Sequence, residues 1–444
     1  GSCSFGNFWL PAIQRDTPQI VQDILIWKAA NLDMCRVSVA VMPKLFYQYA
    51  DMYGLMVYQD MPLQWMYNLN EGETDLAPIT AEEIKRQTHA MVETFYNHPS
   101  IVIWQIANEF VIFKPEIQIL PECKEFVRML RQWDPTRLPM GSSGYTAIPE
   151  WATVPNREWF GVSDVHWYNG WYWHTPMRFN DPPDYWNKWS GDKVLVSEYG
   201  ATAFPDWETL QAAMPWAPKT PDGLYDVRKF PYEEVYRGKS LGEPMQLGTL
   251  TNFTGSYERP VDWIRASQDY QAYFTKINTD IWRRRAICSG YTQFLLIDPG
   301  PLAWPKAIVD CRRRPKKAYY ELARASAPQR VNIQYQGQRY YGGQPIPDTR
   351  LWIYNDLTES INGSVRLVLT DASGRIVTEQ LWGDQTIAGA SRMAIGEPDL
   401  ILPEVTNGRQ TFYLYAMLNT EDRLVDYDCV PIEVFTAENT KPSI

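Results

Sequence analysis

Histidine is scarce in this chain, with four among 444 residues, and the six cysteines (Cys3, Cys35, Cys123, Cys288, Cys311 and Cys429) are scattered without a Cys-x-x-Cys pair. That pattern supplies no convincing metal triad, no disulfide-dense scaffold and no evident pairing of nucleophile with base. Carboxylate chemistry without metal or cofactor is therefore the economical expectation. Basic charge is also in short supply: 42 Lys and Arg face 52 Asp and Glu, for a net charge of −10. The basic run Arg312-Arg313-Arg314 with Lys316-Lys317 is too short to overturn this, so nucleic acid is not an expected partner. No segment approaches 18 consecutive apolar residues and no charged-then-apolar leader is visible, which predicts a soluble chain with no membrane partner and leaves its compartment open.

What is abundant is apolar and aromatic surface. Hydrophobic residues make up 45% of the chain and aromatics 14%, including 19 Trp and 27 Tyr. The length exceeds one ordinary domain and predicts two, each able to bury a core. Flat apolar faces with polar edges suit sugar rings as well as cores.

Residues 1 to about 326 alternate short apolar runs with longer helical patterns, the rhythm of parallel βα units. The predicted strands are Ser4–Trp9, Met34–Ala40, Leu55–Asp60, Ile101–Asn108, Arg137–Gly141, Gly161–His166, Lys193–Glu198 and Gly290–Ile297. Helices are expected from a Thr17-Pro18 cap to Ala30, over Lys44–Tyr53 with Gly54 as its stop, over Thr80–Tyr96 and over Cys123–Trp133. Eight strands in this rhythm predict a closed (β/α)8 TIM barrel over residues 1–327, with the Pro/Tyr/Gly-rich stretch 215–258 among its rim walls. Beyond Ala327-Pro328 the period becomes two, as in Arg350–Tyr354, Val365–Leu369 and, after the turn Asp371–Gly374, Arg375–Leu381. This predicts an immunoglobulin-like β-sandwich over 328–444 with a structural role.

Two of the predicted strands end alike. The run Ile101–Ile106 closes in Asn108-Glu109, and Lys193–Val196 closes in Ser197-Glu198-Tyr199-Gly200. A single strand-end glutamate is as readily an ordinary ion-paired one. Barrel active sites, however, lie at the C-terminal ends of the strands, so these two carboxyls are expected on one rim. Hydrolysis of a glycosidic bond needs such a pair: one acid to protonate the leaving oxygen and one carboxylate to attack carbon or activate water. A partly buried aromatic site raises the pKa of the acid.

Three stretches, Asn97–Glu109 (NHPSIVIWQIANE), Glu198-Tyr199-Gly200 and Pro315–Tyr320 (PKKAYY), together resemble glycoside hydrolase family 2, the group of β-galactosidases, β-glucuronidases, β-mannosidases and exo-β-glucosaminidases. The resemblance covers residues 4 to about 326. It implies Glu109 as acid/base, Glu198 as nucleophile, Asn108 as a donor to the substrate's 2-position, and Arg36 as the charge that keeps the nucleophile ionised. It also implies a glycoside or oligosaccharide substrate and no cofactor. Within His166-Trp167-Tyr168-Asn169-Gly170-Trp171-Tyr172 it places Tyr168 and Tyr172 near the nucleophile; His166 joins the substrate-binding set, and Trp171 and Trp173 are either sugar platforms or loop packing. The segment Glu198–Leu210 is similar to β-mannosidases, whereas the Trp-Tyr loop looks more like β-glucuronidases. The latter recognise a sugar carboxylate with an asparagine two positions before a lysine, and here Trp304 and Lys306 stand in those places. Phe294 replaces the family's tryptophan at the end of strand eight and keeps an apolar platform. The family also carries β-sandwich domains before the barrel, whereas this chain starts almost at strand one. The resulting expectation is a retaining exo-β-glycosidase with β-mannoside favoured and β-galactoside or β-glucuronide next. The rival is a carbohydrate-binding protein that kept the barrel without turnover.

Overall fold

Short apolar runs separated by amphipathic segments cannot bury both faces of a strand unless helices cover the outside, and the chain meets this demand with parallel strands. The computed structural model describes residues 1–4, 11, 13–63, 78–109, 120–144, 163–171, 193–213, 221, 253–255, 257, 259–300, 305–336, 339–421 and 423–436. The described positions fall into two compact units, Gly1–Ser326 and Ala327–Ile444.

In the first unit the strands are β1 (Ser2–Ser4), β2 (Met34–Val37), β3 (Met56–Asp60), β4 (Ile101–Asn108), β5 (Leu138–Ser143), β6 (Ser163–His166), β7 (Val194–Tyr199) and β8 (Cys288–Gln293). They form one parallel sheet in the order β5-β4-β3-β2-β1-β8-β7-β6. The two end strands face each other: the Ser143 hydroxyl donates to Asp164 Oδ2 at 2.8 Å and the Gly144 N–H to Asp164 Oδ1 at 2.7 Å. Bonds to the Asp164 side chain thus span the β5–β6 seam, where no ladder forms among the described residues, and the barrel is nearly closed. Inside it Tyr58, Ile103, Met140 and Leu195 pack together from β3, β4, β5 and β7, the layered filling expected of such barrels.

The helices are α1 (Thr17–Ala29), α2 (Lys44–Tyr53), α3 (Pro78–Phe95), α4 (Leu120–Trp133), α5 (Trp207–Ala213), α6 (Pro260–Arg284) and α7 (Lys317–Ala325). In α1 the helical spacing puts Ile20, Ile24 and Trp27 on one face, all with no exposed surface. Each such burial contributes about 1.5–3 kcal/mol. The α2 helix stops at Gly54, which takes φ 64° and returns its N–H to Ala50 O, a left-handed cap that glycine adopts without a Cβ clash.

Several expected boundaries move. The first strand is Ser2–Ser4, paired with Cys35, Arg36 and Val37; of the expected Ser4–Trp9, residues 5–9 lie outside the described residues. The α1 cap is Asp16 rather than Thr17, because its carboxylate accepts the Gln19 N–H at 3.2 Å. Strand β2 ends at Val37 rather than Ala40: Val39 turns to φ 50° and gives its N–H to Asp60 Oδ2 at 3.0 Å, which ends the ladder. Strand β8 occupies Cys288–Gln293 rather than Gly290–Ile297. Of the expected rim wall 215–258, only residues 221, 253–255 and 257 are described.

The second unit is a β-sandwich. One sheet has the order β10-β16-β15-β12-β13, from Tyr340–Tyr341, Leu424–Phe435, Arg409–Asn419, Ile361–Thr370 and Ile376–Ile387; the other joins β14 (Ser391–Gly396), β11 (Arg350–Asn355) and β9 (Gln329–Gln334). Alternation sets its core, since Val365, Leu367 and Leu369 pair with Leu418, Ala416 and Leu414 across β12 and β15, all fully buried. Two acids of β16 tie it to the other sheet: Asp426 accepts the Val331 N–H at 3.0 Å and Asp428 the Ile333 N–H at 2.9 Å. Those bonds satisfy donors on the outer edge of β9, which would otherwise be open to a foreign strand.

Candidate active site

The C-terminal ends of β2, β3, β4, β6 and β7 deliver polar side chains to one place. Arg36, with no exposed surface, is the hub. Its Nε and Nη2 bind Asp60 at 3.3 and 2.9 Å, Nη2 also donates to Asn108 Oδ1 at 2.6 Å, and Nη1 donates to Glu198 Oε1 at 3.0 Å and to the Ser197 carbonyl at 3.3 Å. A guanidinium has five donors in a fixed plane, which suits it to hold two carboxylates and an amide at once.

Local backbone geometry aims the two glutamates. At the end of β4, Glu109 takes φ 52° with its N–H bonded to Ser143 O at 2.9 Å. A non-glycine residue in that region is strained, and here the strain turns the carboxyl out of the strand's alternation. Glu198 sits where β7 changes register, His166 pairing with it across β6 and the β8 ladder shifting between Val196 and Tyr199. Such bulges re-aim a side chain at a barrel rim. The glycine of Glu198-Tyr199-Gly200 has its own reason: a Cβ there would stand 2.2 Å from Phe294 O.

Around Glu198 the second oxygen is also held, because Tyr168 donates its hydroxyl to Oε2 at 2.9 Å. His166 stands between the two glutamates, with Nδ1 at 2.9 Å from Glu109 Oε1 and 3.4 Å from Glu198 Oε2. Its other nitrogen lies 2.9 Å from Ser143 Oγ. Burial raises the pKa of Glu198, while the His166 and Arg36 charges oppose that rise, as does the Tyr168 hydroxyl. Burial works against the His166 cation, but Glu198, Glu109 and Asp164 outweigh it and raise the imidazole above its ordinary value. Asp60 is raised by burial against the pull of Arg36.

One carboxylate oxygen of each glutamate and a His166 nitrogen lie within 4.8 Å of one another, close enough to suggest a cation site. The donors are already committed, however: Glu198 to Arg36 and Tyr168, His166 to Glu109 and Ser143. A buried guanidinium 3.0 Å from Glu198 would also repel a metal ion, so these residues do not fit a resident metal.

Of the residues singled out from sequence, Glu109, Glu198, Arg36, Asn108, His166 and Tyr168 converge. Lys306 and Phe294 lie beside them: the ammonium, buried to 2% exposure, stands 5.0 Å from the Tyr168 ring centre and 5.8 Å from that of Phe294. Trp171 is a correction to the substrate-binding set. Its ring has no exposed surface and packs 6.2 Å from Tyr270 and 6.3 Å from Phe253, and an indole so enclosed has no face to offer a sugar. Tyr172, Trp173 and Trp304 lie outside the described residues.

Sequence reasoning missed Asp60, Ser143, Gly144 and Asp164. Asp60 carried the same signal as Glu109, an apolar run ending in an acid. Gly144, at φ 77°, is needed because a Cβ there would stand 2.6 Å from the His166 ring, and only the fold brings those two together.

The model of the glycosyl hydrolases family 2, TIM barrel domain, matches residues 14–213. Among curated proteins the chain is similar to a β-mannosidase B of Thermothelomyces thermophilus, 24% identical over 65% of this chain and 34% of that one, and to a β-mannosidase B of Aspergillus niger, 24% identical over 85% of this chain and 46% of that one. It thus spans less than half the length of these relatives. Among solved structures a β-D-mannosidase of Dictyoglomus thermophilum superposes with a TM-score of 0.68 at 20% identity, over 97% of this chain and 49% of that one. An exo-chitosanase of Amycolatopsis orientalis gives 0.65 at 14% identity, over 94% and 46%. These two likenesses bear on the fold, and the barrel segment 14–213 is what matches the family 2 TIM barrel domain of the glycosyl hydrolases.

Proposed function

We propose that this chain hydrolyses terminal β-linked glycosides with retention of configuration. The observation that carries the proposal is the approach of Glu109 and Glu198, which have carboxylate oxygens within 4.8 Å of each other. Retaining enzymes hold their carboxyls roughly 5–5.5 Å apart, whereas inverting ones leave about 6.5–9.5 Å for a water.

In this reading Glu198 attacks the anomeric carbon while Glu109 protonates the departing oxygen, so the C–O bond to the aglycone breaks as the ester bond to Glu198 forms. Glu109, now a carboxylate, then takes a proton from water, whose oxygen displaces Glu198. Arg36 and Tyr168 supply hydrogen bonds that favour the ionised nucleophile. Asn108 turns its carbonyl oxygen to Arg36, which orients the amino group to donate to the sugar's 2-position. Phe294, with Lys306 above its ring, offers an apolar wall.

β-Mannoside is the favoured sugar, since the curated relatives reported above are named β-mannosidases. A β-galactoside or β-glucuronide is the next reading, and the buried Lys306 ammonium is the observation that favours an anionic sugar. The test is hydrolysis of aryl β-mannoside, β-galactoside, β-glucuronide, β-glucoside and β-glucosaminide by this chain and its Glu198→Gln variant, with the first-formed anomer read by proton NMR. Turnover of one sugar, lost in the variant and yielding the β-anomer first, supports the proposal. Binding of a sugar with no turnover by either protein favours a carbohydrate-binding protein, and an α-anomer refutes retention.

A further inference from the structure

We propose that His166 is an imidazolium clamped between the two catalytic carboxylates, a positioning residue that holds Glu109 and Glu198 in register and sets the working pH of the site. This deepens the two-glutamate reading and rests on it.

The argument starts from hydrogen counting at the two ring nitrogens. On the Nε2 side the partner is Ser143 Oγ at 2.9 Å. Ser143 has one hydroxyl hydrogen, and the carboxylate of Asp164 takes it at 2.8 Å, a charge-assisted bond favoured over one to a neutral ring or to the Ser197 hydroxyl 2.9 Å away. Ser143 therefore presents a lone pair to Nε2, which must carry a hydrogen. Arg36 Nη1 also lies 3.4 Å from Nε2, but its two hydrogens go to Glu198 Oε1 and the Ser197 carbonyl. On the opposite side Nδ1 faces Glu109 Oε1 at 2.9 Å and Glu198 Oε2 at 3.4 Å. Both are acceptors when ionised, so Nδ1 carries a hydrogen too. An imidazole with both nitrogens protonated is a cation.

The charges around the ring point the same way. Arg36 from β2 is the neighbouring cation, and Asp60 from β3 balances it from behind at 2.9 Å. Glu109 from the end of β4, Asp164 on His166's own strand and Glu198 from β7 are the acids acting on the ring. Tyr168 on the rim bonds Glu198, and Lys306 stands above its ring. Three acids against one already balanced guanidinium favour a charged ring.

The consequence for the reaction is specific. With Nδ1–H bonded to Oε1, the Glu109 carboxyl is held in one orientation. A positive ring 2.9–3.4 Å from both glutamates lowers both of their pKa values relative to a site without it. The site then works at lower pH than the two carboxylates would allow by themselves.

The test replaces His166 by Gln, which keeps one N–H donor and removes the charge, and by Asn in case the longer amide does not fold. Thermal melts establish that each variant is folded. The pH profile of kcat/KM on the sugar identified above should shift, with both limbs moving to higher pH by about one unit. A profile that falls in height without moving would mean a structural role only. An alkaline limb that moves down would mean a neutral ring that accepts from Glu109. Either overturns the proposal. Nitrogen-15 NMR of the imidazole, assigned by difference from His166→Gln, supplies a readout independent of turnover: both ring nitrogens should be protonated at pH 6, and one bare nitrogen there refutes the clamp. If the wild-type chain turns over no sugar, the catalytic reading fails, while this spectrum still decides the charge of His166.

Discussion

Replacing Arg36 by Met tests the electrostatic plan of the barrel rim most directly. The thioether fills much of the space and removes the charge, leaving Asp60 and Glu198 buried at 0% and 5% side-chain exposure without their cation. Breaking a buried pair by removing one partner costs about 3–5 kcal/mol. Here two acids lose the same partner, so the upper part of that range is expected near neutral pH. The cost has a definite pH dependence. Burial already raises Asp60 and Glu198 above their ordinary values with Arg36 present, and without it both rise further. The folded variant then binds more protons than the unfolded chain, so its stability falls as pH increases through the folded-state pKa values and recovers towards acid. Urea unfolding at pH 5 and pH 8 reads this: the loss relative to wild type should be larger at pH 8 by at least about 1.4 kcal/mol, the equivalent of one pKa unit. A loss below about 1 kcal/mol, or one equal at the two pH values, would refute the account of Arg36 as the charge that holds the site together.

Tyr168→Phe removes the hydroxyl that donates to Glu198 Oε2. A bond to a charged group contributes about 1.5–3 kcal/mol, so kcat/KM should fall roughly 10- to 100-fold with the fold's melting temperature almost unchanged; an unaltered kcat/KM would refute the assignment of Tyr168 as a support of Glu198 in the proposed reaction. Gly144→Ala puts a methyl 2.6 Å from the His166 ring at a residue with φ 77°. Strain of this kind costs about 1–3 kcal/mol, and the variant should lose stability by that amount while also losing activity through displacement of His166. A variant as stable and active as wild type would show that the β5–β6 seam is looser than its bonds imply.

Much of this protein was legible in its residues because the relevant signals are local. The run Ile101–Asn108 reads as a strand because a continuous apolar stretch bounded by a turn suits a position covered on both faces. Glu109 and Glu198 stood out because an acid that closes such a run must lie at the strand's end. The helix Lys44–Tyr53 and its glycine stop were likewise readable, since capping depends on neighbours a few positions away. Strand ends were less legible: Val39 leaves the β2 ladder because its N–H finds Asp60, 21 positions along the chain.

His166 shows where such reading stops. Its placement in a motif suggested a substrate contact, yet its partners are Glu109, Ser143 and Glu198, which come from three other strands. Trp171 likewise read as either a platform or packing, and only its enclosure by Tyr270 and Phe253 decides for packing. The amino-acid sequence by itself determined the strand and helix rhythm, the two glutamates and the acid-rich chemistry, because periodicity and composition are properties of neighbouring residues. The tertiary structure alone decided how near the two carboxylates stand, which cations face them and which aromatic rings remain accessible, because charges and burial act through space between strands far apart in the chain.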